Sequence, residues 1–265
     1  MKKTHALFRK LKSKKPKREN IEIKSGGGLG NRLINLIGGL EKAELGNLEP
    51  IISWVPTHAC RARFSDLFDT SLTIKEEILK LPIKYSNKSK IPEDFDITRT
   101  VNHLLKLKPK REIIDKVSGF VDRHNIDSNV IGLHIRKTDF FEDTDVNFWI
   151  DAIMSNPSKR YFVCSDSKEE ENKFRVFPNV IVLPKTEYVK KRWKDYPWII
   201  DNYDDNRYYQ GQQFNVLRSS KSVKEALCDL LILSHTDIKD TNKYSTFLHL
   251  AKYYQTILDL SLIHI

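Results

Sequence analysis

Polar residues with the chemistry of a phosphate-binding site directly follow three apolar segments of this 265-residue chain. Arg136 to Asp139 (RKTD) follows one segment, Ser165 to Ser167 (SDS) follows a second, and a glycine-rich run, Ser25 to Arg32 (SGGGLGNR), follows one near the amino terminus. Ligands of open parallel sheets bind beyond the carboxyl ends of the strands, so these residues are expected to face one cleft. Backbone N–H groups, a guanidinium and carboxylates together suit a phosphorylated ligand that carries hydroxyl groups.

Arg136 is the first candidate for chemistry in this set. A guanidinium is always charged and can bind two phosphate oxygens at once, so it can hold a diphosphate without a metal ion. An ion pair with Asp139 is the structural alternative. His134, inside the preceding apolar segment, is either a hydrogen-bonded core histidine or a donor to the same ligand.

The glycine-rich run allows the backbone to approach a ligand closely, and the start of the following helix favours an anion. Its spacing matches neither a P-loop nor GxGxxG, because GK[ST] is missing and Leu33 stands three positions after Gly30. A tight turn between a strand and a helix is the alternative. Four glycines in five positions nevertheless exceed what a turn requires.

Asp229 is the least expected acid of the chain, because apolar residues surround it between Leu227 and Leu233. A carboxylate in such surroundings needs hydrogen-bond donors. A guanine base offers two, N1–H and N2–H, in a row that matches the two carboxylate oxygens. The alternative is a helical residue that turns to solvent, away from the apolar stripe that contains Val223 and Leu230.

Strands and helices that would position these groups alternate along the chain. Short apolar runs predict strands over 21–24, 50–55, 130–135, 161–164 and 179–183. Apolar residues at helical spacing predict helices over 33–40, 60–68, 146–155, 168–175, 222–233 and 245–258. This alternation is typical of an α/β fold. We expect an amino-terminal domain over 21–125 and a carboxyl-terminal domain over 126–265.

Positive charge is concentrated at the amino terminus. The formal net charge is +10, and eight of these charges fall within residues 1–20, which hold nine Lys or Arg and one Glu. The rest of the chain is close to neutral, which argues against a nucleic-acid-binding protein with a basic face over its whole surface. We expect residues 1–20 to be a flexible basic tail that either aids solubility or contacts an anionic surface.

The cysteines and the apolar runs narrow the class of protein further. Cys60, Cys164 and Cys228 are too far apart in sequence to form a CxxC pair, so neither a disulfide framework nor a CxxC zinc site is expected. No apolar run approaches the roughly 18 residues of a membrane span, and no signal-peptide pattern follows Met1. A cytoplasmic location is the expectation.

Four motifs occur in a fixed order between residues 22 and about 255. They are SGGGLGNR from Ser25, GLHIRKTD from Gly132, VCSD from Val163, and SVKEALCDLLILS from Ser222 with YSTF from Tyr244. Together they resemble the fucosyltransferase superfamily of α1,6-, α1,2- and protein O-fucosyltransferases, and most of all its nodulation-type α1,6 enzymes. HxRxTD combined with a glycine-rich first loop carries the resemblance.

The resemblance implies a GT-B-like architecture, in which two Rossmann-like domains face a cleft and the last helix packs back on the amino-terminal one. It implies transfer of fucose from GDP-fucose to a glycan hydroxyl, with inversion and without a metal or cofactor. Arg136 would bind the β-phosphate and stabilise the GDP leaving group, and Asp139 is a candidate base. The residues that would contact the nucleotide or close the cleft are Gly28, Gly30, Asn31, His134, Asp166, Asp229, Ser245, Thr246 and Phe247.

Two other functions fit parts of the sequence. Asp143-Thr-Asp145 matches the DxD pattern by which other glycosyltransferases bind a divalent metal with the sugar nucleotide. A non-catalytic RNA-binding or glycan-binding module with a basic tail is the second alternative. Asp204 and Asp205 are further candidates for a base, and the aromatic stretch 193–209 around them is either an acceptor-stacking loop or an ordinary surface loop.

Overall fold

Two parallel four-stranded sheets organise the part of the chain that the computed structural model describes, which comprises residues 18–76, 84–86, 97–138, 145–191, 216–241 and 245–260. The strands are β1 (Asn20–Lys24), β2 (Glu49–Ser53), β3 (Phe68–Asp69), β4 (Thr73–Lys75), β5 (Lys84–Ser86), β6 (Lys108–Pro109), β7 (Val130–Ile135), β8 (Arg160–Ser165), β9 (Val180–Ile181), β10 (Lys190–Lys191), β11 (Val216–Leu217) and β12 (Asp237–Ile238). The helices are α1 (Leu29–Leu45), α2 (Ile97–Leu104), α3 (Arg111–His124), α4 (Val146–Ser155), α5 (Lys168–Arg175), α6 (Ser220–Leu233) and α7 (Thr246–Asp259). The α/β fold expected from the sequence is confirmed.

The first sheet has the strand order β4-β2-β1-β5, and each neighbouring pair is parallel. Ile21 and Ile23 on β1 are fully buried. Helix α1 packs closely on this face, because Gly39 has no side chain to hold it away from Ile23. The glycine loop joins the carboxyl end of β1 to α1, and Gly28 is the amino-terminal cap of this helix.

The second sheet has the order β12-β7-β8-β9 and is also parallel. Its central strands β7 and β8 are buried along most of their length, as the continuous apolar runs predict. On one face, Leu133 and Val163 pack with Ile153 of α4 and Phe174 of α5. The carboxyl ends of β7 and β8 thus emerge side by side from a rigid layer.

The other face of the second sheet shares its core with the first sheet. Phe162 of β8, Leu230 of α6, Leu250 of α7 and Leu33 of α1 belong to one continuous cluster of buried side chains. Helix α7, at the end of the described chain, packs against α1 and α2, and α6 packs against α3. The two sheets are therefore held in a fixed arrangement by apolar packing.

Two details of the fold differ from the sequence-based expectation. The predicted helix over 60–68 is wrong, since only a short 3-10 turn forms at Phe64–Asp66. Upstream of it, Cys60 forms an isolated bridge with Thr57, and the Trp54 indole donates a hydrogen bond to the Ala62 carbonyl over 3.1 Å. These contacts leave the segment no room to wind into a helix. The predicted strand over 179–183 is shorter than expected, because β9 pairs with β8 through only two residues at the sheet edge.

A buried acid lies on the central strand of the first sheet. Glu22 of β1 is 0 % exposed, and neither of its carboxylate oxygens has a hydrogen-bond partner within the described ranges. A carboxylate in such a position is costly, because burial removes its hydration without replacing it.

The cysteines and helix lengths agree with the sequence. Cys60, Cys164 and Cys228 are buried free thiols. Across the described ranges, no helix combines the length and the apolar character needed to cross a membrane.

Candidate active site

The glycine loop and the start of α7 form a seam between the two sheets. A Cβ atom placed on Gly30 would lie 2.7 Å from Thr246 Oγ1 and 3.2 Å from the Phe247 backbone nitrogen, so only glycine allows the two helices to approach this closely. The Thr246 hydroxyl donates a hydrogen bond to Asn31 Oδ1 over 3.0 Å. Four residues expected to contact the nucleotide or to close the cleft therefore meet across the seam, namely Gly30, Asn31, Thr246 and Phe247.

Phe247 extends this seam to the second sheet. Its ring stacks on the ring of His134, with centroids 4.4 Å apart and planes 24° from parallel. His134 lies near the carboxyl end of β7 and is 8 % exposed. The seam thus connects the carboxyl ends of β1 and β7, the edge at which ligands of parallel sheets bind.

Arg136 follows β7 directly and is half-buried. The loop behind it is held by Asp166, whose carboxylate accepts a hydrogen bond from the Lys137 backbone N–H over 2.9 Å and another from the Thr138 hydroxyl. Asp166 follows β8, the neighbouring strand, so its contacts fix the shape of the loop that carries Arg136. Asp139, the candidate base, lies outside the described residues.

Arg32 anchors the glycine loop from its buried side. Its side chain is fully buried, its Nε atom donates to the Gly27 carbonyl over 2.9 Å, and its Nη2 atom donates to Thr57 Oγ1 over 3.0 Å. Its guanidinium carbon lies 5.0 Å from the centre of the Trp54 ring, within cation–π range. Gly27 has a φ of +78°, in the left-handed region that favours glycine. The loop is therefore fixed before any ligand arrives.

Arg218, which no sequence motif marks, adds a second cation beside the glycine loop. Its guanidinium carbon would lie 3.9 Å from a Cβ atom on Gly28. Its backbone N–H donates to the His58 carbonyl over 2.8 Å, and its own carbonyl accepts from the Arg61 N–H over 3.0 Å. These two backbone bonds fix residue 218 of the second half against a loop of the first half.

Ser245 caps α7. Its side chain accepts a hydrogen bond from the Leu248 N–H over 3.3 Å, and the residue is 2 % exposed. Serine is a preferred residue at this position because it satisfies an N–H group that the helix itself leaves unpaired. The hydroxyl therefore orients the first turn of α7, in which Thr246 and Phe247 lie.

Asp229 lies in a buried network, away from solvent. It is 4 % exposed, so the alternative of a solvent-facing helical residue is wrong. Its Oδ2 atom accepts a hydrogen bond from Lys185 Nζ over 2.8 Å, whereas its Oδ1 atom is buried without a hydrogen-bond partner among the described residues. Lys185, from the loop after β9, was not a candidate in the sequence analysis.

Lys185 is buried between two acids. Its side chain is 3 % exposed, and its Nζ atom contacts Asp229, the carbonyl oxygen of Ser165 at 2.7 Å, and the carboxylate of Glu171. Glu171 is itself fully buried and accepts hydrogen bonds from Arg175 over 2.8 Å and from the Tyr188 hydroxyl over 2.6 Å. The network therefore connects α5, α6 and the end of β8.

Charge and burial act against each other in this network. Burial raises the pKa of Asp229 to about 6, although Lys185 acts to lower it. Burial also acts to lower the pKa of Lys185, but Asp229 and Glu171 outweigh it and raise that pKa. Near neutral pH, Asp229 is therefore ionised and Lys185 is protonated.

Helix α6, which carries Asp229, also holds the loop after β9 at a second point. Glu225 is 5 % exposed, and its carboxylate accepts from the Thr186 N–H over 2.9 Å and from the Glu187 N–H over 3.0 Å. Ser219, the cap of α6, donates its hydroxyl hydrogen bond to the Glu187 carboxylate. The buried network is thereby joined to the start of α6, which directly follows Arg218.

Asp145, half of the DxD pattern, has a structural role. Its carboxylate accepts a hydrogen bond from the Phe148 N–H over 3.0 Å and so caps α4. Asp143 lies outside the described residues, as do Asp204, Asp205 and the aromatic stretch 193–209. Within the described ranges, no group of three or more His, Cys, Asp or Glu side chains is arranged to hold a metal ion.

This arrangement of strand ends, glycine loop and final helix is a fucosyltransferase-like fold of the GT-B-like type, and the fold expected from the sequence motifs is confirmed. Fucosyltransferase NodZ from Bradyrhizobium is one solved structure that the chain matches, at 14 % identity and a TM-score of 0.59, over 89 % of this chain and 93 % of that one. NodZ α-1,6-fucosyltransferase co-crystallised with GDP gives 13 % identity and a TM-score of 0.57, over 89 % and 92 % of the two chains.

A plant enzyme has the same fold. A mutant of Arabidopsis thaliana FUT1 in complex with GDP matches at 14 % identity and a TM-score of 0.50, over 94 % of this chain and 71 % of that one. No protein-family model and no curated protein sequence matches the chain. At these identities the likeness is one of fold.

Proposed function

We propose that this chain transfers fucose from GDP-fucose to a hydroxyl group of a glycan, with inversion at the anomeric carbon and without a metal ion or cofactor. The observation that carries the proposal is the continuous seam between the two sheets. In this seam Gly30 contacts Thr246, and Phe247 stacks on His134. His134 lies two residues before Arg136. The GDP and GDP-fucose described in NodZ structures of the same fold support a donor of this class.

Arg136 and Arg218 hold the diphosphate in this proposal. Arg136, after β7, binds the β-phosphate and neutralises the charge that develops on it as GDP departs. Arg218 contributes a second positive charge from the side of the glycine loop, beside Gly28. Two cations on opposite sides of a diphosphate supply the stabilisation that a divalent metal supplies in other transferases.

The transfer step breaks the bond between the anomeric carbon of fucose and the β-phosphate oxygen, and the electron pair leaves with GDP. An oxygen of the acceptor glycan forms the new bond from the opposite face, which inverts the configuration. The acceptor hydroxyl loses its proton to a base, for which Asp139 is the candidate nearest in sequence to Arg136. Positioning the hydroxyl in line with the leaving group supplies much of the acceleration.

The remaining site residues position the loop of Arg136 or contact the donor base. Asp166 holds the loop of Arg136 through Lys137 and Thr138, and Asp229 recognises the base. The proposed division into domains over 21–125 and 126–265 puts the seam between them, with α7 packed on α1.

Calorimetric titration with GDP, UDP and ADP tests the donor without knowledge of the acceptor. We expect GDP to bind at least about tenfold more tightly than UDP or ADP, because guanine presents N1–H beside its 2-amino group to Asp229, whereas uracil is smaller and adenine has an acceptor at N1. Equal affinity for the three nucleotides would contradict base recognition. Turnover of GDP-fucose that persists fully in EDTA is expected, and loss of turnover in EDTA would favour the DxD alternative.

A further inference from the structure

We propose that Lys185 is a positioning residue that fixes the Asp229 carboxylate so that its Oδ1 atom accepts a single hydrogen bond, from N1–H of the donor base. This inference rests on the proposed GDP-fucose site. It adds a specificity-determining residue from the loop after β9 and changes how the base is recognised, from two hydrogen bonds to one.

The hydrogen bonds of Lys185 determine its position completely. An ammonium group has three N–H donors, and the Nζ atom of Lys185 has three acceptors, which are Asp229 Oδ2 at 2.8 Å, the Ser165 carbonyl at 2.7 Å and the Glu171 carboxylate. With a side chain that is 3 % exposed, it has no donor left for a ligand. Lys185 therefore acts on the ligand only through Asp229.

The two oxygens of Asp229 differ in consequence. Oδ2 accepts from Lys185, whereas Oδ1 has no hydrogen-bond partner within the described part of the chain and is buried. A buried acceptor without a donor is costly, and a ligand N–H that reaches it removes that cost. Oδ1 is thus the carboxylate oxygen of Asp229 that accepts no hydrogen bond from the described residues, and Oδ2 accepts one from Lys185.

The charge on Asp229 depends on the same lysine. Lys185 from the loop after β9 and Lys116 from α3 act to lower its pKa, whereas burial and Glu171 from α5 raise it. Burial raises the pKa values of the thiols of Cys164 on β8 and Cys228 on α6, and both thiols also interact electrostatically with Asp229, which raises these pKa values further. Without Lys185, the pKa of Asp229 rises further, and the carboxyl becomes neutral nearer to physiological pH.

The choice of base distinguishes one hydrogen bond from two. Guanine presents N1–H and a 2-amino group side by side, whereas hypoxanthine keeps N1–H and lacks the amino group. A carboxylate with both oxygens available binds guanine through both groups and discriminates strongly against hypoxanthine. With Lys185 Nζ against Oδ2, N1–H on Oδ1 is the one hydrogen bond proposed between Asp229 and the base, so little is lost when the amino group is missing.

Titration of the wild-type protein with GDP and inosine diphosphate tests this difference. We expect the two dissociation constants to agree within about threefold, because hypoxanthine keeps the N1–H that Oδ1 accepts. A second hydrogen bond from the 2-amino group to the charged carboxylate would instead favour GDP by more than about tenfold. A GDP preference above about tenfold would overturn single-atom recognition while leaving the proposed function intact. If neither nucleotide binds, the proposed function fails and this inference fails with it.

A second experiment tests the positioning role. GDP affinity is measured from pH 5 to pH 8.5 for the wild type, Lys185→Met, Lys185→Arg and the control Lys173→Met, an exposed residue of α5 paired with Glu170. In Lys185→Met, the pH below which affinity is lost is expected to rise by at least about one unit, with about tenfold weaker binding at pH 7. Lys185→Arg, which keeps the charge, and Lys173→Met are expected to follow the wild type.

A purely structural role predicts a different result. Lys185→Met would then lower the midpoint of thermal unfolding but keep the wild-type pH profile of GDP binding, and that outcome would overturn the proposal. If Lys185→Met does not fold, the GDP and inosine diphosphate comparison on the wild type still decides between one hydrogen bond and two.

Discussion

The hydroxyl of Thr246 donates a hydrogen bond to Asn31, 215 residues earlier in the chain, and occupies the space that a side chain on Gly30 would need. This relationship gives Gly30 a packing role as well as a place beside the proposed donor site. The seam between the glycine loop and α7 is therefore sensitive to a single added carbon.

Gly30→Ala is expected to destabilise the protein by about 1–3 kcal/mol, because the new Cβ atom would lie 2.7 Å from Thr246 Oγ1. Urea denaturation measures the change. Gly38→Ala in the same helix is the matched control, since nothing lies within 4 Å of its Cβ position. We expect that control to stabilise the protein by about 0.5–1 kcal/mol through helix propensity. Equal effects of both variants would contradict the close contact at Gly30.

Arg136→Ala is expected to lower GDP-fucose turnover by a factor of at least about one hundred, because the departing diphosphate loses its guanidinium partner. Circular dichroism should show an unchanged fold. Arg111→Ala, at an exposed position of α3 with an 85 % exposed side chain, serves as the control and should keep full activity. Turnover in Arg136→Ala that matches the control would remove Arg136 from the mechanism.

Arg218→Gln is expected to weaken GDP binding by about tenfold and GMP binding much less, because the guanidinium beside Gly28 is proposed to contact the diphosphate. Calorimetry with both nucleotides measures the difference. Lys221→Gln is the control, because Lys221 is exposed in the first turn of α6, the helix that follows Arg218. Similar losses for GDP and GMP would place Arg218 away from the β-phosphate.

GDP affinity is expected to fall as the pH drops through about 6. Burial raises the pKa of Asp229 to about that value against the effect of Lys185, so the carboxylate is charged above this pH and neutral below it. A neutral carboxyl is a weaker acceptor for a base N–H. The phosphate of GDP titrates in the same range, so the test is the difference between the wild-type and Asp229→Asn profiles. Parallel profiles would exclude Asp229 as the titrating group.

Glu22→Met is expected to raise the free energy of unfolding by about 1–3 kcal/mol, because an apolar side chain of similar length replaces a buried carboxylate. Glu22 is fully buried on β1, and its oxygens have no hydrogen-bond partner among the described residues. Chemical denaturation is the measurement, with Glu49→Met at an exposed position of β2 as the control. Destabilisation by Glu22→Met would indicate that the carboxylate has a partner in the folded protein.

Local sequence patterns were sufficient for elements with strong periodicity and clear ends. The predicted bounds of β7, α4 and α5 agree with the structure, because buried central strands and capped amphipathic helices leave plain signals. The helix predicted over 60–68 is wrong because the conformation of this segment depends on a hydrogen bond from Trp54 to Ala62. That contact is tertiary and has no periodic signature.

Site residues that belong to sequence motifs were predictable. Site residues whose positions depend on burial and on contacts with distant parts of the chain were not. Arg136, His134 and Phe247 belong to recognisable motifs, and two of them stack directly. Lys185 and Arg218 carry no motif, and each acquires its position from distant residues. Asp166 is bonded to the loop of Arg136 and Ser245 to the first turn of α7, and their contact with a nucleotide stays a prediction.

Helix α7 is translated after every other element of the described fold, yet it packs against α1, the first helix of the described residues. A nascent chain that stops short of α7 therefore exposes the apolar side of α1 and lacks the contacts between α7 and the glycine loop. That side of α1 is covered only after the α7 segment has been synthesised. Chains truncated before α7 are therefore expected to expose an aggregation-prone apolar surface.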